Sequence, residues 1–255
     1  MLEARGQTDI AQIAAQAPNV SLRPQPQNGG SGLIAFIRGV GQTDFNFALE
    51  PGVGIYVDDV YIPTLTGSLL DLMDLDRVEV LRGPQGTLYG RGATAGAINL
   101  ITKRPTDHLD GYVRASYGNY NAVAIEGAVG GPISGDKLMV RVSGKYDRRD
   151  GYGINEFTGK DIDNRDAYAM RGSLLFKASD DLDLLISADH FNEKDNNYAF
   201  HYFGPTVARE NALGSILGGD TIVTRAAKLG IPVNYRDIYS DQEALNRRHG
   251  TSVTG

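Results

Sequence analysis

The stretch "RVEVLRGPQGTLYGRGATAGAINLIT", Arg77–Thr102, sets glycines at Gly83, Gly86, Gly90, Gly92 and Gly96 between two apolar runs. Glycine-rich turns beside strands often cradle phosphate, so that reading comes first. A P-loop needs Lys-Ser/Thr directly after its last glycine, because the lysine reaches the β/γ-phosphates and the hydroxyl holds Mg²⁺. Here Gly90 is followed by Arg91-Gly92, Gly96 by Ala97-Ile98, and the next lysine is Lys103. The GxGxxG fingerprint also fails, since "GRGATAG" has one residue too many in its second gap. Too few residues separate the flanking runs for a crossover helix. The phosphate reading therefore fails on chemistry and on space. A structural reading remains: glycines permit positive φ and close backbone approach, so tight turns pack the strands "DRVEVLRG" and "GAINLITK" into a confined volume. Pro84 is placed to start a single helical turn through Leu88.

Composition narrows the rest. A net charge of −6 over 255 residues, with no visible basic patch, argues against a nucleic-acid partner. The absence of cysteine excludes a disulfide framework, a thiolate metal site and a cysteine nucleophile. With 32 glycines and 13 tyrosines, many short strands and turns are expected rather than a helical bundle. His108, His190, His201 and His249 are too scattered for a metal set. No apolar run reaches the ~18 residues of a spanning helix, and "MLEARGQTDIAQ" has neither a basic n-region nor an apolar h-region.

The chain has two textures. Up to about Pro105 it mixes short helices and strands. Ile10, Ile13, Ala14 and Ala17 share a helical face, and Ser68 and Asp71 flank the start of a short helix carrying Leu69, Leu70, Leu72 and Met73. "LIAFIRGV" reads as a buried strand, and "GIYVDDVYI" as two strands around a turn at Asp58-Asp59. From Gly111 onward the period is two. "GYVRASYGN", "AVAIEGAVGG", "KLMVRVSGKYD", "AYAMRGSLLFK" and "LDLLISADH" each alternate apolar with polar residues, the first two joined by a turn at Asn119-Tyr120. A soluble sandwich shows the same alternation, so periodicity does not decide. Connection lengths add information: Gly131–Asp136 and Ser179–Asp181 are short, whereas Arg149–Arg165 and Asn196 to about Gly250 are long. Short turns at one end and long loops at the other mark an outer-membrane barrel. In that reading the aliphatic face meets lipid, the charged face lines a wet lumen, and Tyr117, Tyr146 and Tyr168 sit at a girdle. "GGDTIVTRAAKLG" reads as a short amphipathic helix in the last long loop.

"FIRGV", "VGIYVDDVYI" and "RVEVLRGPQGTLYGRGATAGAINLITKRP" together resemble the TonB-dependent receptors of Gram-negative outer membranes, with Gly92 where asparagine commonly follows "LYGR". The resemblance runs to about Phe203. It implies an α+β plug domain over residues 1–108, followed by antiparallel strands of an incomplete transmembrane β-barrel over residues 109–255, five or six of about 22 strands. The implied function is binding and import of a scarce large ligand, most commonly a ferric siderophore. The proton gradient drives import through TonB of the TonB-ExbB-ExbD complex, with no catalysis and no resident cofactor or metal. A glycan or cobalamin importer, or a soluble plug-like binding module, remains an alternative. The expected partners are TonB, outer-membrane lipid and the small-molecule ligand, and the expected location is the outer membrane.

Loops Arg23–Ser31, Thr43–Phe47 and Tyr61–Thr66 are the expected plug apices. Arg23, Gln25, Gln27, Asn28 and Thr64 are candidates to hydrogen-bond an oxygen-rich ligand, and Phe45, Phe47 and Tyr61 to stack on it. The resemblance implies that Arg38, beside Gly39, and Arg82, beside Gly83, lock the plug through barrel carboxylates beyond Gly255. Asp58, Pro84, Gly86, Tyr89, Gly90, Arg91 and Gly96 complete the motif. Asp58 and Asp59 are expected as turn formers. The lack of a leader, a TonB box and barrel-closing strands leads us to expect a piece of a longer receptor, unable to insert stably alone.

Overall fold

A computed structural model describes residues 17–24, 33–42, 51–62, 73–90, 92–135, 137–196, 222–234, 237–238 and 246–255. The helices expected around Ile10–Ala14 and Leu69–Leu72 lie outside them.

The first part is two packed sheets. Strands β1 (Val20–Pro24), β2 (Leu33–Ile37) and β3 (Val40–Gly41) form an antiparallel sheet in sequence order. Strands β4 (Val53–Val57), β5 (Val60–Ile62), β6 (Leu75–Arg82) and β7 (Gly96–Thr102) form a second, ordered β5-β4-β7-β6. β7 runs antiparallel to β6, as the short spacing between them requires, and parallel to β4. Strand alternation divides the side chains between two cores. Val53, Ile55 and Val57 of β4, with Ile98 and Leu100 of β7, pack on Leu22, Ala35 and Ile37 of the first sheet. Full burial of each such aliphatic side chain contributes about 1.5–3 kcal/mol. On the opposite face Tyr56, Ala93 and Ala97 pack with Tyr61, Leu81 and Tyr89.

The glycine-rich stretch forms the expected compact crossing. Helix α1 (Gly86–Tyr89) is the single turn, starting two residues after the expected Pro84 and ending one after Leu88, with Gly83 and Gly90 at φ of 105° and 78° on either side. Gly96 has the strictest requirement. Its φ is 153°, and a Cβ there would lie 2.3 Å from the Leu81 carbonyl oxygen and 2.7 Å from Ile37 Cδ1. Only glycine lets β7 start against the end of β6.

The second part is one antiparallel sheet. Strands β8 (Asp110–Gly118), β9 (Ala122–Ser134), β10 (Leu138–Arg149), β13 (Arg165–Ser179), β14 (Leu182–Asp195) and β15 (Asn246–Thr254) pair strictly with their predecessors in the sheet. The loop between β10 and β13 carries its own hairpin, β11 (Gly153–Asn155) and β12 (Lys160–Ile162). Helix α2 (Ile222–Lys228) lies inside "GGDTIVTRAAKLG", as its amphipathic pattern suggests.

Two boundaries shift. The β8–β9 turn centres on Tyr120-Asn121, at φ of 57° and 51°, one residue later than Asn119-Tyr120. Two consecutive positive φ values match the twist of a hairpin, and asparagine tolerates them well. The last strand begins at Asn246, whereas the long connection expected from the sequence runs to about Gly250. Its alternation is invisible because Arg247, His249 and Thr251 on one face are as polar as Arg248 and Ser252 on the other.

The two faces of this sheet differ as expected. Val113, Ile125, Val129, Val142, Met170, Leu174, Phe176, Leu184, Ile186 and Val253 are exposed along one face. Met139, Arg141, Ser143, Ala167, Ala169, Arg171, Ser173, Leu175 and Ser187 are buried on the other. No described helix is long and apolar enough to cross a membrane.

Candidate functional site

The site lies where the two parts touch. The β4–β5 turn is made by Asp58 and Asp59, both in left-handed backbone at φ of 47° and 67°, a conformation that aspartate tolerates. Each carboxylate then ties the turn to the end of β7. Asp58 Oδ1 accepts the Thr102 amide at 2.8 Å, and Oδ2 accepts the Thr102 hydroxyl at 2.8 Å. Asn99 Nδ2 donates to Asp59 Oδ1 at 2.6 Å. The turn-forming role expected of both aspartates is present, and Asp58 does more. Its Oδ2 lies 3.7 Å from Nη1 of Arg171 on the buried face of β13. Arg171 also pairs with Asp189 of β14, which accepts the Ser252 hydroxyl from β15 at 2.7 Å.

A second contact sits one strand over. Asp74, at φ of 54° just before β6, receives the Arg141 guanidinium through two parallel bonds, with Nη2 to Oδ1 at 2.7 Å. The side chains are 2% and 4% exposed. Nη1 of Arg141 reaches Asp110, at the start of β8, at 3.2 Å. Adjacent Met73 inserts against Ala167, Ala169 and Phe191 on the barrel wall. Small alanines on β13 let the sheet approach closely, and charge and apolar contact coincide. A bidentate arginine–carboxylate pair fixes orientation as well as distance. Below it, Lys103 and Arg114 lie over the Tyr112 ring at 5.7 and 4.5 Å, and Tyr112 donates to Glu126 at 2.6 Å.

In these ion pairs the carboxylates, Asp58 and Asp74, belong to the first part and the arginines, Arg171 and Arg141, to the barrel wall; the pairs expected of Arg38 and Arg82 are separate ones, with carboxylates beyond Gly255. Arg82 donates to the Pro18 carbonyl at 3.2 Å, and Arg38 is an exposed turn residue at φ of 53° whose guanidinium sits over Gly83. The missed arginines had a signal in the sequence. Arg141 and Arg171 stand on the polar face in mid-strand, where a charge needs a partner; which partner is a tertiary matter.

Among the ligand candidates, Arg23 and Tyr61 are not in apex loops. Arg23 lies on β1 with its guanidinium 6.0 Å from the Phe36 ring centroid. Tyr61 lies on β5, half-buried, with its ring 5.3 Å from that of Tyr56. Tyr56 in turn meets Tyr89 at 4.7 Å and donates to the Tyr89 carbonyl. Burial, reinforced by Tyr61 and Tyr89, pushes the Tyr56 phenol above its ordinary range. Gly92 packs under Tyr61, where a Cβ would lie 2.7 Å from the hydroxyl. Tyr61 therefore serves a core before any ligand. Gln25, Gln27, Asn28, Phe45, Phe47, Thr64 and Arg91 lie outside the described residues.

The two long loops dock on each other at the far end. Ile238 packs on Ile162 and bridges Asn155, while Asp237 Oδ1 accepts the Ile154 amide at 2.9 Å. Arg225 of α2 covers the Phe157 ring at 4.2 Å.

Residues 1–97 match the family model of the TonB-dependent receptor plug domain. The chain is 35% identical over 136 residues to the pesticin receptor of Yersinia enterocolitica, covering 53% of this chain and 20% of that protein. It is 28% identical to the ferric-pyoverdine 358 receptor of Pseudomonas putida, covering 53% of this chain and 15% of that one. Its fold superposes on the crystal structure of the ferric yersiniabactin uptake receptor FyuA from Yersinia pestis with a TM-score of 0.66 and 28% identity, over 76% of this chain and 30% of that one. The chain thus spans a fifth or less of the length of these curated relatives.

Proposed function

Since this chain belongs to the TonB-dependent receptors and carries their plug domain followed by antiparallel barrel strands, we propose that it forms the plug and the opening barrel wall of an outer-membrane importer of a ferric siderophore. Residues 1–108 are the plug and residues 109–255 the wall. The observation that carries this reading is the seating of the β4–β7 sheet on the polar face of β10 and β13, through Asp58, Asp74 and Met73, while the opposite face presents a continuous apolar belt. A plug in a lumen with lipid outside needs both features at once.

The ligand class follows the relatives, whose names are those of pesticin, ferric-pyoverdine and ferric-yersiniabactin receptors. Gln25, Gln27, Asn28, Phe45, Phe47 and Thr64 offer it the polar and aromatic contacts, with Arg23 and Tyr61 beside them on β1 and β5. Arg38 and Arg82 complete the plug lock on wall strands beyond Gly255. TonB pulls on the plug, and the work is binding and transport rather than catalysis.

The test is uptake of iron-55 from a panel of ferric siderophores by cells in which the full-length receptor is the sole one of its class. The proposal expects saturable uptake of at least one, abolished when the proton gradient is dissipated. Binding and uptake of a glycan or cobalamin, with none of any ferric complex, would overturn the ligand class.

A further inference from the structure

The two contacts between plug and wall differ in what each charge keeps when they part. Asp58 accepts the Thr102 amide on Oδ1 and the Thr102 hydroxyl on Oδ2, both within the plug itself. Its reach to Arg171 is 3.7 Å, longer than a hydrogen bond, and the Arg171 Nη1 atom makes none. Arg171 keeps Asp189 through Nε, and Asp189 is held in turn by the Ser252 hydroxyl. Opening this contact therefore leaves both charges hydrogen-bonded. The Asp58 side chain is already 33% exposed, so water reaches it without further rearrangement.

Asp74 has no such second partner. Arg141 takes both of its oxygens, and no other donor among the described residues reaches them. Parting would leave a buried carboxylate unpaired, while Arg141 would keep Asp110. Two further ties hold this point. Met73 is wedged against Ala167, Ala169 and Phe191, and the Asp74 carbonyl accepts the Lys103 amide shortly before β8 begins. The plug sheet is ordered β5-β4-β7-β6, so Asp58 at the end of β4 and Asp74 before β6 lie two strands apart, about 10 Å. A sheet fastened firmly at one edge and loosely about 10 Å away is built to swing.

We propose that the plug parts from these wall strands first at Asp58–Arg171 and last at Asp74–Arg141, so that the β4–β5 half lifts while the β6 edge stays as the pivot. The order rests on the plug-and-wall reading above and is independent of the ligand class. Asp189 is a positioning residue in this device. It acts through Arg171, holding the guanidinium on the wall so that Asp58 can leave without stranding it. Without the Asp189 charge, Arg171 would depend on Asp58 and the corner would hold tighter. Tyr61 lies on β5, in the half that lifts.

The test is the rate of labelling by a water-soluble maleimide in outer membranes carrying the full-length receptor, cleared of any other cysteine. Ser187→Cys reports the Asp58 side: it is buried two residues from Asp189 on the same face, against Ser173. Met139→Cys reports the Asp74 side, buried two residues from Arg141. Receptor unfolded in denaturant sets the full rate for each. Ser187→Cys should label faster than Met139→Cys. Asp58→Asn, which keeps an acceptor for Thr102, should speed labelling at 187 by about two- to fivefold, the range of a part-exposed ion pair. Asp189→Asn should slow it, whereas a merely structural loss would speed it. Equal rates at the two positions, a faster rate at Met139→Cys, no change with either variant, or acceleration by Asp189→Asn overturns the order alone. A receptor without a heat-shifted gel band overturns the barrel reading and the order with it.

Discussion

Arg141→Met should loosen the plug far more than its distance from any ligand suggests. The Arg141 and Asp74 side chains are 2% and 4% exposed and joined by two parallel bonds. Removing one partner of such a pair costs about 3–5 kcal/mol, chiefly because the other charge stays buried. Arg141→Met strands the Asp74 carboxylate and belongs near the top of that range. Asp74→Asn keeps the left-handed backbone and leaves Arg141 its contact with Asp110 at 3.2 Å, so it belongs near the bottom. The double variant should cost at least about 1.5 kcal/mol less than the sum of the singles. The assay is amide exchange in the full-length receptor. The Lys103 amide, which donates to the Asp74 carbonyl at 2.9 Å, reports plug opening, and Val140 reports the barrel. Even a loss of about 3 kcal/mol, the bottom of that range, speeds exchange at Lys103 by roughly 150-fold and leaves Val140 unchanged. Exchange at Lys103 within about threefold of wild type in Arg141→Met would refute the reasoning.

Three further outcomes follow. Gly96→Ala should destabilise the plug by at least about 2 kcal/mol, since its Cβ would meet the Leu81 carbonyl at 2.3 Å; plug exchange rises while the barrel still shows a heat-shifted gel band. Leu174→Arg, on the exposed apolar face, should cost about 2–4 kcal/mol if it meets mid-bilayer, lowering the yield of heat-shifted receptor, whereas Leu174→Val should not. The Glu156 carboxyl is held above its ordinary range by desolvation and then by its hydrogen bond with Asp237. A raised acid pKa means that the docked loops bind more protons, so docking weakens as pH rises through the Glu156 titration. Exchange at the Ile154 amide, corrected for its intrinsic rate, should rise with pH over that window, and Glu156→Gln should flatten the profile.

Local rules made much of this architecture readable. Period-two alternation located β8, β9, β10, β13 and β14, because on each the apolar and polar side chains fall largely on alternate faces. β15 escaped because both its faces are polar. The turn at Asp58-Asp59 was legible from residue type, but its second task, meeting Arg171, was not. Ion pairing between segments so far apart in sequence depends on how the β4–β7 sheet seats in the wall. The resemblance pointed to plug arginines meeting carboxylates beyond Gly255, and said nothing of the pairs that Asp58 and Asp74 make with Arg171 and Arg141. Tyr61 was expected to open an apex loop and lies on β5 instead, with Tyr56, Tyr89 and Gly92 packed around it.

The central claim is that β8–β15 divide hydrocarbon from a plug-filled lumen. A nitroxide scan along β13 in the full-length receptor, cleared of any cysteine outside the labelled position and reconstituted in lipid bilayers, tests it most directly. Positions 168, 170, 174 and 176 should be accessible to oxygen dissolved in lipid and shielded from a water-soluble relaxant, while 169, 171, 173 and 175 should be shielded from both by the plug. Equal access of the aqueous relaxant to both sets, or loss of the two-residue alternation, would contradict the account.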